Sequence, residues 1–293
     1  MVRRLAWLLL CMALALLAFG AMADIRLQDD LGDELVLAAP AARIVSLAPN
    51  VTETLFAIGA GQLIVGADEY SNYPREARDI PRVNNHAAAN YERILALKPD
   101  LVIAWQSGNS GQIIPRLRRL GLPVFVIEPR TLEDIAGVAR RFGAITGHTV
   151  EAQRLAATFE AKLAELRQTF SARTPVKVFY QIWNEPLITL NGSHLVSDVI
   201  RLCGGTNVFA DAAPLVPYVN IEAVISADPQ VIIASGSNDE SPAWLTMWQR
   251  WPAISAVKHG HIYSVPPDLI QRHSLRIIDG AGQVCAFLDK ARG

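Results

Sequence analysis

The chain lacks the sequence patterns that mark most enzymes and most nucleic-acid-binding proteins. It has no Gly-x-Ser-x-Gly elbow, since Gly108-Asn109-Ser110-Gly111 has the wrong spacing, no His-Glu-x-x-His pair and no Gly-Lys-Ser/Thr phosphate loop. Basic residues number 27 against 28 acidic ones and form no cluster, which disfavours nucleic acid as a partner. A binding protein is therefore favoured over an enzyme. The alternative is an exported hydrolase whose Ser, His and Asp side chains meet only in space.

Long apolar runs are also missing, except at the start of the chain. The run from Leu5 to Phe19 follows Arg3 and Arg4 and precedes the small-residue site at 21–23. It is short for a membrane span, and this order of segments is typical of a cleavable secretory signal peptide over residues 1–23. A lipoprotein signal ending at Cys11 is disfavoured because small residues do not precede that cysteine. We expect a periplasmic protein.

Cysteine is scarce, with three in the whole chain. Removal of the signal peptide would leave Cys203 and Cys285, an even number in an exported protein. An oxidising compartment favours a disulfide between them. Two separate buried thiols are the alternative, because the Cα–Cα distance decides whether two cysteines can be joined.

One sequence pattern occurs twice, in residues 90–104 and again 130 positions later in residues 220–234. Each copy begins with Asn-x-Glu, has a proline seven positions after the glutamate and ends in an apolar run. The asparagine is a good N-cap, the proline cannot continue a helix, and the apolar run suits a strand that is buried on both faces. The pattern predicts two lobes of similar plan, with Glu92 and Glu222 in equivalent places.

Strand-like and helical stretches alternate along the chain, which predicts an α/β fold with largely parallel sheets. The first series has predicted strands at 44–47, 63–66, 101–105 and 124–127 and helices at 51–58, 91–97, 112–120 and 132–146. The second series has predicted strands at 178–182, 231–234 and 262–265 and helices at 195–203, 221–227, 242–250 and 274–291.

The segment between the two series is predicted to be one long helix. Residues 149–173 contain no glycine or proline and place apolar residues at helical spacing. The predicted organisation is a lobe of residues 24–148, this connecting helix, and a lobe of residues 174–293. Because a single helix resists bending, we expect little lobe motion on binding.

Six stretches of the chain resemble a known family. They are residues 44–53, 70–74, 92–105, 202–209, 222–233 and 272–277, and they extend over most of the mature chain. They resemble the periplasmic cobalamin-binding proteins that supply an ABC importer, within the helical-backbone class that also binds haem, ferric siderophores and some metals. The two Asn-x-Glu units and the Cys-Gly-Gly-x-Asn-x-Phe stretch at 203–209 are typical of the class and less specific for the ligand.

The resemblance implies two Rossmann-like α/β lobes joined by one long helix, with the ligand in a cleft between them. It implies a monomeric receptor for cobalamin or a related corrinoid, without a cofactor or a metal site, that docks on a permease dimer in the inner membrane. Haem or a ferric siderophore is the alternative ligand for the same fold. Glu92 and Glu222 match glutamates that pair with arginines of the two permease subunits. The helix dipole alone also favours a glutamate in the first turn of a helix.

The resemblance assigns mainly aromatic and polar residues to the ligand cleft: Tyr70, His86, Trp105, Trp183, Val216, Tyr218, Asp268 and Arg272. A corrinoid has a broad, partly apolar ring with amide arms, which suits stacking aromatic rings and a few polar groups. Trp105 follows a predicted strand at its carboxyl end, where α/β sheets bind ligands, and a core tryptophan is the alternative there.

Two of these positions depart from the family pattern. His86 and Val216 stand where a tryptophan is expected, so part of the aromatic wall is missing. His86 offers an imidazole nitrogen to cobalt or iron, or else it is a solvated loop histidine. Asp268 and Arg272 match a polar pair that contacts the corrin side chains. Their i, i+4 spacing also fits a surface ion pair of little energetic value.

Overall fold

The computed structural model describes residues 24–85, 87–235 and 243–293. The strands are β1 Ile25–Gln28, β2 Glu34–Leu37, β3 Ile44–Ser46, β4 Ile64–Asp68, β5 Arg82–Asn84, β6 Leu101–Trp105, β7 Val124–Ile127, β8 Val176–Gln181, β9 Trp183–Asn184, β10 Leu187–Ile188, β11 Gly205–Asn207, β12 Val231–Ser235 and β13 Ile262–Val265. The α-helices are α1 Pro49–Ala57, α2 Tyr91–Ala96, α3 Ile113–Arg119, α4 Leu132–Thr146, α5 Thr149–Phe170, α6 Leu195–Leu202, α7 Ile221–Ala227, α8 Ser255–Lys258, α9 Pro267–Ile270 and α10 Ile277–Arg292.

A five-stranded parallel sheet forms the centre of the first lobe, in the order β5-β4-β3-β6-β7. The four strands predicted from the sequence in this lobe correspond to β3, β4, β6 and β7 and are confirmed. The chain adds β4 and β5 on one side of β3, and then β6 and β7 on the other. The direction in which strands are added to the sheet therefore reverses between β3 and β6. Open α/β sheets bind ligands at the carboxyl ends of the strands at such a reversal.

The second lobe repeats this plan with four parallel strands in the order β11-β8-β12-β13. Its strand order reverses between β8 and β12. The predicted α/β class with two lobes and parallel sheets is confirmed.

Helix α5 joins the two lobes over 22 residues, as predicted. Its buried face changes partner along its length. Ala152 lies in a core cluster of the first lobe, whereas Phe159 and Leu163 lie in the core of the second. Helix α4 packs beside it, and the backbone N–H of Leu132 donates to Asp198 of α6 at 2.9 Å. The two helices thereby connect the cores of both lobes.

The repeated sequence unit is also a repeated structural unit. The side chains of Asn90 and Asn220 accept hydrogen bonds from the third residue of α2 and of α7, at 2.9 and 2.8 Å. Lys98 and Asp228, each directly before the proline, have positive φ values of 47° and 45°. Strands β6 and β12 follow. The two copies therefore share the cap, the left-handed residue and the strand, in the same register.

Several short elements differ from the prediction. Strands β1, β2, β5, β9, β10 and β11 were not predicted, because runs of two to four residues show no clear periodicity. Residues 243–250 form a 3₁₀-helix and not an α-helix. Within it, Trp248 is fully buried and its indole N–H donates to Gln181 at 2.8 Å, so tertiary contact determines this segment.

Cys203 and Cys285 form a disulfide, with Cα atoms 4.6 Å apart. The bond joins the end of α6 to α10 inside the core of the second lobe, and the predicted pairing is confirmed. The signal-peptide prediction for residues 1–23 lies outside the described residues. Within the described part of the chain, no helix combines the length and the apolar character that a membrane crossing requires.

Candidate functional site

A cavity of about 220 Å³ lies between the two lobes at the carboxyl ends of the first-lobe strands. Its first-lobe wall follows β3, β4 and β6, and its second-lobe wall is the segment 267–272 after β13. The lining residues are Leu47, Ala48, Pro49, Asp68, Tyr70, Trp105, Gly108, Pro267, Asp268, Gln271 and Arg272. Four predicted ligand residues, Tyr70, Trp105, Asp268 and Arg272, are therefore brought together here, at the reversal of the strand order.

Buried asparagines fix the floor of this cavity. The carbonyl oxygen of Leu47 accepts hydrogen bonds from the side-chain amides of Asn84 and Asn109, at 3.0 and 2.8 Å. Asn109 also accepts from the backbone N–H of Trp105 at 2.9 Å. The indole of Trp105 lies directly against Gly108, where any Cβ would come within 2.0 Å of the ring. Trp105 is thus held in place by the loop that follows its own strand.

The strongest polar contact between the lobes is centred on Glu53 of α1. This carboxylate is buried and accepts hydrogen bonds from second-lobe groups, at 2.7 Å from Arg272, 2.6 Å from Ser274 and 3.0 Å from Arg276. Arg276 also places its guanidinium 3.8 Å from the centre of the Tyr73 ring in the first lobe. One buried carboxylate of the first lobe therefore holds, through hydrogen bonds, the segment that forms the opposite wall of the cavity.

Arg272 makes further contacts to both lobes. It donates to the Asn72 side chain at 2.9 Å and to the Tyr70 carbonyl at 3.3 Å, and it pairs with Asp268 at 2.8 Å. Its side chain is only 11% exposed. The Asp268–Arg272 ion pair suggested by the spacing therefore exists. It does not lie on the surface, but belongs to a largely buried network between the lobes.

Three aromatic rings contact one another in a row beside the cavity. Trp105 of the first lobe contacts His273 of the second with ring centres 4.6 Å apart, and His273 meets His194 edge-on at 5.4 Å. Burial lowers the pKa of His273 to about 3, helped by the neighbouring His194, and burial lowers the pKa of His194 to about 4. Both imidazoles are neutral at pH 7, so this row of rings joins the lobes without a charge.

The other predicted ligand residues of the second lobe do not line this cavity. Trp183 and Tyr218 are 53% and 73% exposed, and Val216 is also exposed. Trp183 and Tyr218 each pair with Ile188, across β9–β10 and across an isolated bridge. Residues directly opposite one another in antiparallel pairs project to one face, so the two aromatic rings share a face beyond the carboxyl end of β8. His86 lies outside the described residues.

The predicted docking glutamates occupy equivalent exposed positions. Glu92 and Glu222 lie in the first turns of α2 and α7. The residues just before each helix pair with the carboxyl end of β5 or with the β10 segment, so both glutamates lie on the cleft side of their lobes. Among the described residues, neither carboxylate has an ion-pair or hydrogen-bond partner.

A larger depression of about 650 Å³ on the first lobe is a weaker candidate. Its charged side chains pair with one another or with nearby residues, as in the Arg141–Asp30 contact at 2.6 Å and the Arg140–Glu160 contact at 2.7 Å. These paired charges are not available to a ligand. In the described part of the chain, no group of three or more His, Cys, Asp or Glu side chains suits a metal ion.

Sequence reasoning missed the central residue of the network between the lobes. Glu53 lies in a helix where residues 50–55 are all buried, including Asn50, Thr52 and Thr54. A run of polar residues among apolar ones on a short helix was the available signal. It did not reveal the partners, since Arg272 and Arg276 lie more than 200 positions further along the chain.

This two-lobed architecture recurs in known proteins. Residues 44–269 match the family model described as periplasmic binding protein. The chain belongs to the periplasmic binding protein family. The vitamin B12-binding protein of Vibrio cholerae is 39% identical over 254 residues, which cover 86% of this chain and 91% of that protein. The vitamin B12-binding protein of Yersinia pestis is 34% identical over 252 residues, with coverage of 86% and 88%.

Solved structures of this family show the same fold. The crystal structure of the periplasmic vitamin B12 binding protein of Vibrio cholerae aligns with a TM-score of 0.81 and 38% identity, over 86% of this chain and 98% of that one. The periplasmic heme-binding protein from Roseiflexus aligns with a TM-score of 0.75 and 25% identity, over 86% and 99%. These members of the periplasmic binding protein family are named as binding proteins and not as enzymes.

Proposed function

We propose that this protein is a periplasmic receptor that captures cobalamin or a related corrinoid and delivers it to an ABC importer. The observation that carries this proposal is the cavity between the lobes, where Tyr70 and Trp105 face Asp268 and Arg272. Its similarity to the vitamin B12-binding proteins supports the choice of ligand. The signal-peptide pattern at 1–23 supports export, and the lobes are proposed as residues 24–148 and 174–293 around the connecting segment 149–173.

The proposed ligand wall has one part in each lobe. Trp105 offers an aromatic face at the cavity, and Tyr70 is half exposed at its rim. Trp183 and Tyr218 present a second aromatic face on the other lobe, next to Val216. The cavity of about 220 Å³ is smaller than pockets that enclose a drug-sized ligand, about 300–1,000 Å³. A corrinoid would therefore place only one of its edges or arms in the cavity and lie across the wider cleft, where both aromatic faces reach it.

Arg272 and Asp268 would read the polar periphery of the ligand. The network of Glu53, Asn72 and Ser274 holds this pair in place. A guanidinium donates to amide carbonyls, and a carboxylate accepts from amide N–H groups, so the pair matches the amide arms of a corrinoid. His86 is proposed to be a wall residue or to offer its imidazole nitrogen to the metal of the ligand.

Glu92 and Glu222 are proposed to dock on the two permease subunits. One exposed acid per lobe, at equivalent positions of a repeated unit, matches a partner built from two like subunits with basic groups. Contacts of this kind raise specificity and association rate more than they raise affinity. The proposed receptor is a monomer without a cofactor.

A competition experiment tests the choice of ligand. Residues 24–293 are mixed with equal amounts of cyanocobalamin and haemin and separated by gel filtration, and the visible spectrum of the protein peak is recorded. The proposal predicts the cobalamin spectrum in the peak. A haem spectrum alone would be consistent with the receptor role but would show that the ligand is haem. A protein peak without either spectrum would contradict both proposed ligands.

A further inference from the structure

The two repeated units share more than the glutamates. In α2, Ile94 is fully buried and the next residue, Leu95, is 40% exposed. In α7, Val224 is fully buried and the next residue, Ile225, is 36% exposed. Each exposed apolar residue comes three positions after the glutamate. Residues three apart in a helix are neighbours on its surface, so each lobe presents a carboxylate beside a branched apolar side chain.

Isolated exposed apolar residues are common on proteins and need no explanation by themselves. Leu95 and Ile225 differ because they occupy the same position in two units that match in their cap, their left-handed residue and their strand. The units are not identical elsewhere on the helix surface, since Arg93 of the first corresponds to Ala223 of the second. The acid and the apolar residue are retained where the residue directly after the glutamate changes.

We infer that Leu95 and Ile225 are the apolar anchors of the docking surface, and that the partner presents an apolar pocket beside a basic group in each of two like subunits. This inference rests on the proposed docking through Glu92 and Glu222, and it adds the groups that hold the complex together. The occupant is the membrane-embedded importer and not a second copy of this chain, because α7 carries Glu222 without a basic residue, so two copies of this unit would repel each other.

The physical reason lies in the different strengths of the two contacts. Ion pairs at exposed positions contribute little, because water and salt screen them. Interfaces are held mainly by a few side chains that become fully desolvated in well-packed pockets, and burial of a branched apolar side chain is favourable in itself. A receptor that must stay docked while its ligand is transferred needs such anchors next to its charges. In the two units, Leu95 and Ile225 are the exposed branched side chains adjacent to the acids.

The test uses spheroplasts of the organism that encodes this chain, with its own copy deleted. Purified protein loaded with labelled cyanocobalamin is added at rising concentration, and the concentration for half-maximal uptake is measured. Three double variants are compared with the wild type: Leu95→Ala/Ile225→Ala, Glu92→Ala/Glu222→Ala, and Leu120→Ala/Val150→Ala as the control. Leu120 and Val150 are also exposed apolar residues, and they lie outside the repeated units.

The anchor variant is expected to need at least about fivefold more protein, as for truncation of residues that dominate an interface. It should bind cyanocobalamin with unchanged affinity, and Leu95→Met/Ile225→Leu should restore uptake. Raising the salt concentration should weaken uptake with the wild type more than with the glutamate variant. The control variant should behave like the wild type.

The outcomes separate the two proposals. If the glutamate variant loses uptake and the anchor variant matches the control, the apolar anchors are wrong and the docking proposal stands. If the glutamate variant keeps full uptake, the docking proposal itself fails. An anchor variant with reduced cyanocobalamin affinity would place these residues with the ligand and overturn the inference.

Discussion

The guanidinium of Arg272 lies 2.7 Å from the carboxylate of Glu53, and this contact joins the wall of the cleft in one lobe to the first helix of the other. Both side chains are largely buried, at 11% and 2% exposure. Glu53 also accepts hydrogen bonds from Ser274 and Arg276. A single carboxylate thus helps to set the distance between the lobes and the position of a proposed ligand residue.

Replacing Glu53 should therefore affect both stability and binding. In Glu53→Ala, Arg272 and Arg276 lose their shared partner while they remain largely buried. Removal of one member of a buried ion pair costs about 3 to 5 kcal/mol. We expect a loss of that size in the free energy of unfolding, measured by urea titration, and weaker cyanocobalamin binding where the variant is folded.

The matched control for this prediction is Glu151→Ala. Glu151 contacts Arg154 at 2.6 Å, but both side chains are exposed. Exposed pairs contribute little because water screens them, so the control should lose little stability and no ligand affinity. If the two variants lost the same free energy of unfolding, the Glu53 contact between the lobes would contribute no more to stability than an exposed ion pair.

Trp105→Ala tests the aromatic wall. Loss of a buried aromatic contact should weaken cyanocobalamin binding by about 1 to 3 kcal/mol. Trp105→Phe keeps a ring and should lose less. Binding is measured by calorimetry on variants whose circular dichroism matches the wild type. Unchanged affinity in the alanine variant would place Trp105 in the core, packed on His273, and not at the ligand.

The two buried histidines predict a loss of stability in mild acid. His273 and His194 are neutral in the folded protein because burial lowers the pKa of each, to about 3 and about 4. In the unfolded chain they take up protons near pH 6.5. Stability is thus complete above pH 6.5 and falls as the pH drops toward 4, by about 1.4 kcal/mol per pH unit for each histidine.

The measurement is the free energy of unfolding between pH 7.5 and 4.5. His273→Phe removes one of the two protons taken up on unfolding, so its stability should change less steeply with pH than that of the wild type. The slope, and not the absolute stability, is the readout, because the substitution also changes packing. Equal slopes would mean that His273 has the same pKa in the folded protein as in the unfolded chain, which would contradict the effect of burial.

The docking prediction separates binding from transport. Glu92→Ala/Glu222→Ala should bind cyanocobalamin like the wild type, since neither residue lines the cavity between the lobes. Uptake of labelled cyanocobalamin by cells that carry only this variant should fall. Single variants should lose less than the double variant, because one of the two lobes keeps its contact. Reduced ligand binding in the double variant would refute the assignment.

The sequence predicted those features that depend on a few neighbouring residues. The caps at Asn90 and Asn220, the buried strands after them and the long helix α5 follow from local patterns, and the structure confirms them. The disulfide followed from the small number of cysteines in an exported chain. Trp105 could be placed at the edge of a sheet because the strand before it was recognisable.

The network between the lobes could not be predicted in this way. Glu53 and Arg272 lie in different lobes and 219 positions apart in the chain, so no local pattern relates them. The pairing of Trp183 and Tyr218 with Ile188 depends on strands of two residues, which have no periodicity to detect. The contact of His273 with Trp105 and His194 likewise joins residues from three distant segments.

Calorimetric titration of residues 24–293 with cyanocobalamin directly tests whether this protein is a corrinoid receptor. We expect saturable binding of one molecule per chain, weakened in Trp105→Ala and in Arg272→Ala and unchanged in Glu92→Ala/Glu222→Ala. Absence of saturable binding by the folded wild-type protein, with haemin binding under the same conditions, would contradict the corrinoid receptor and leave a haem receptor on the same fold.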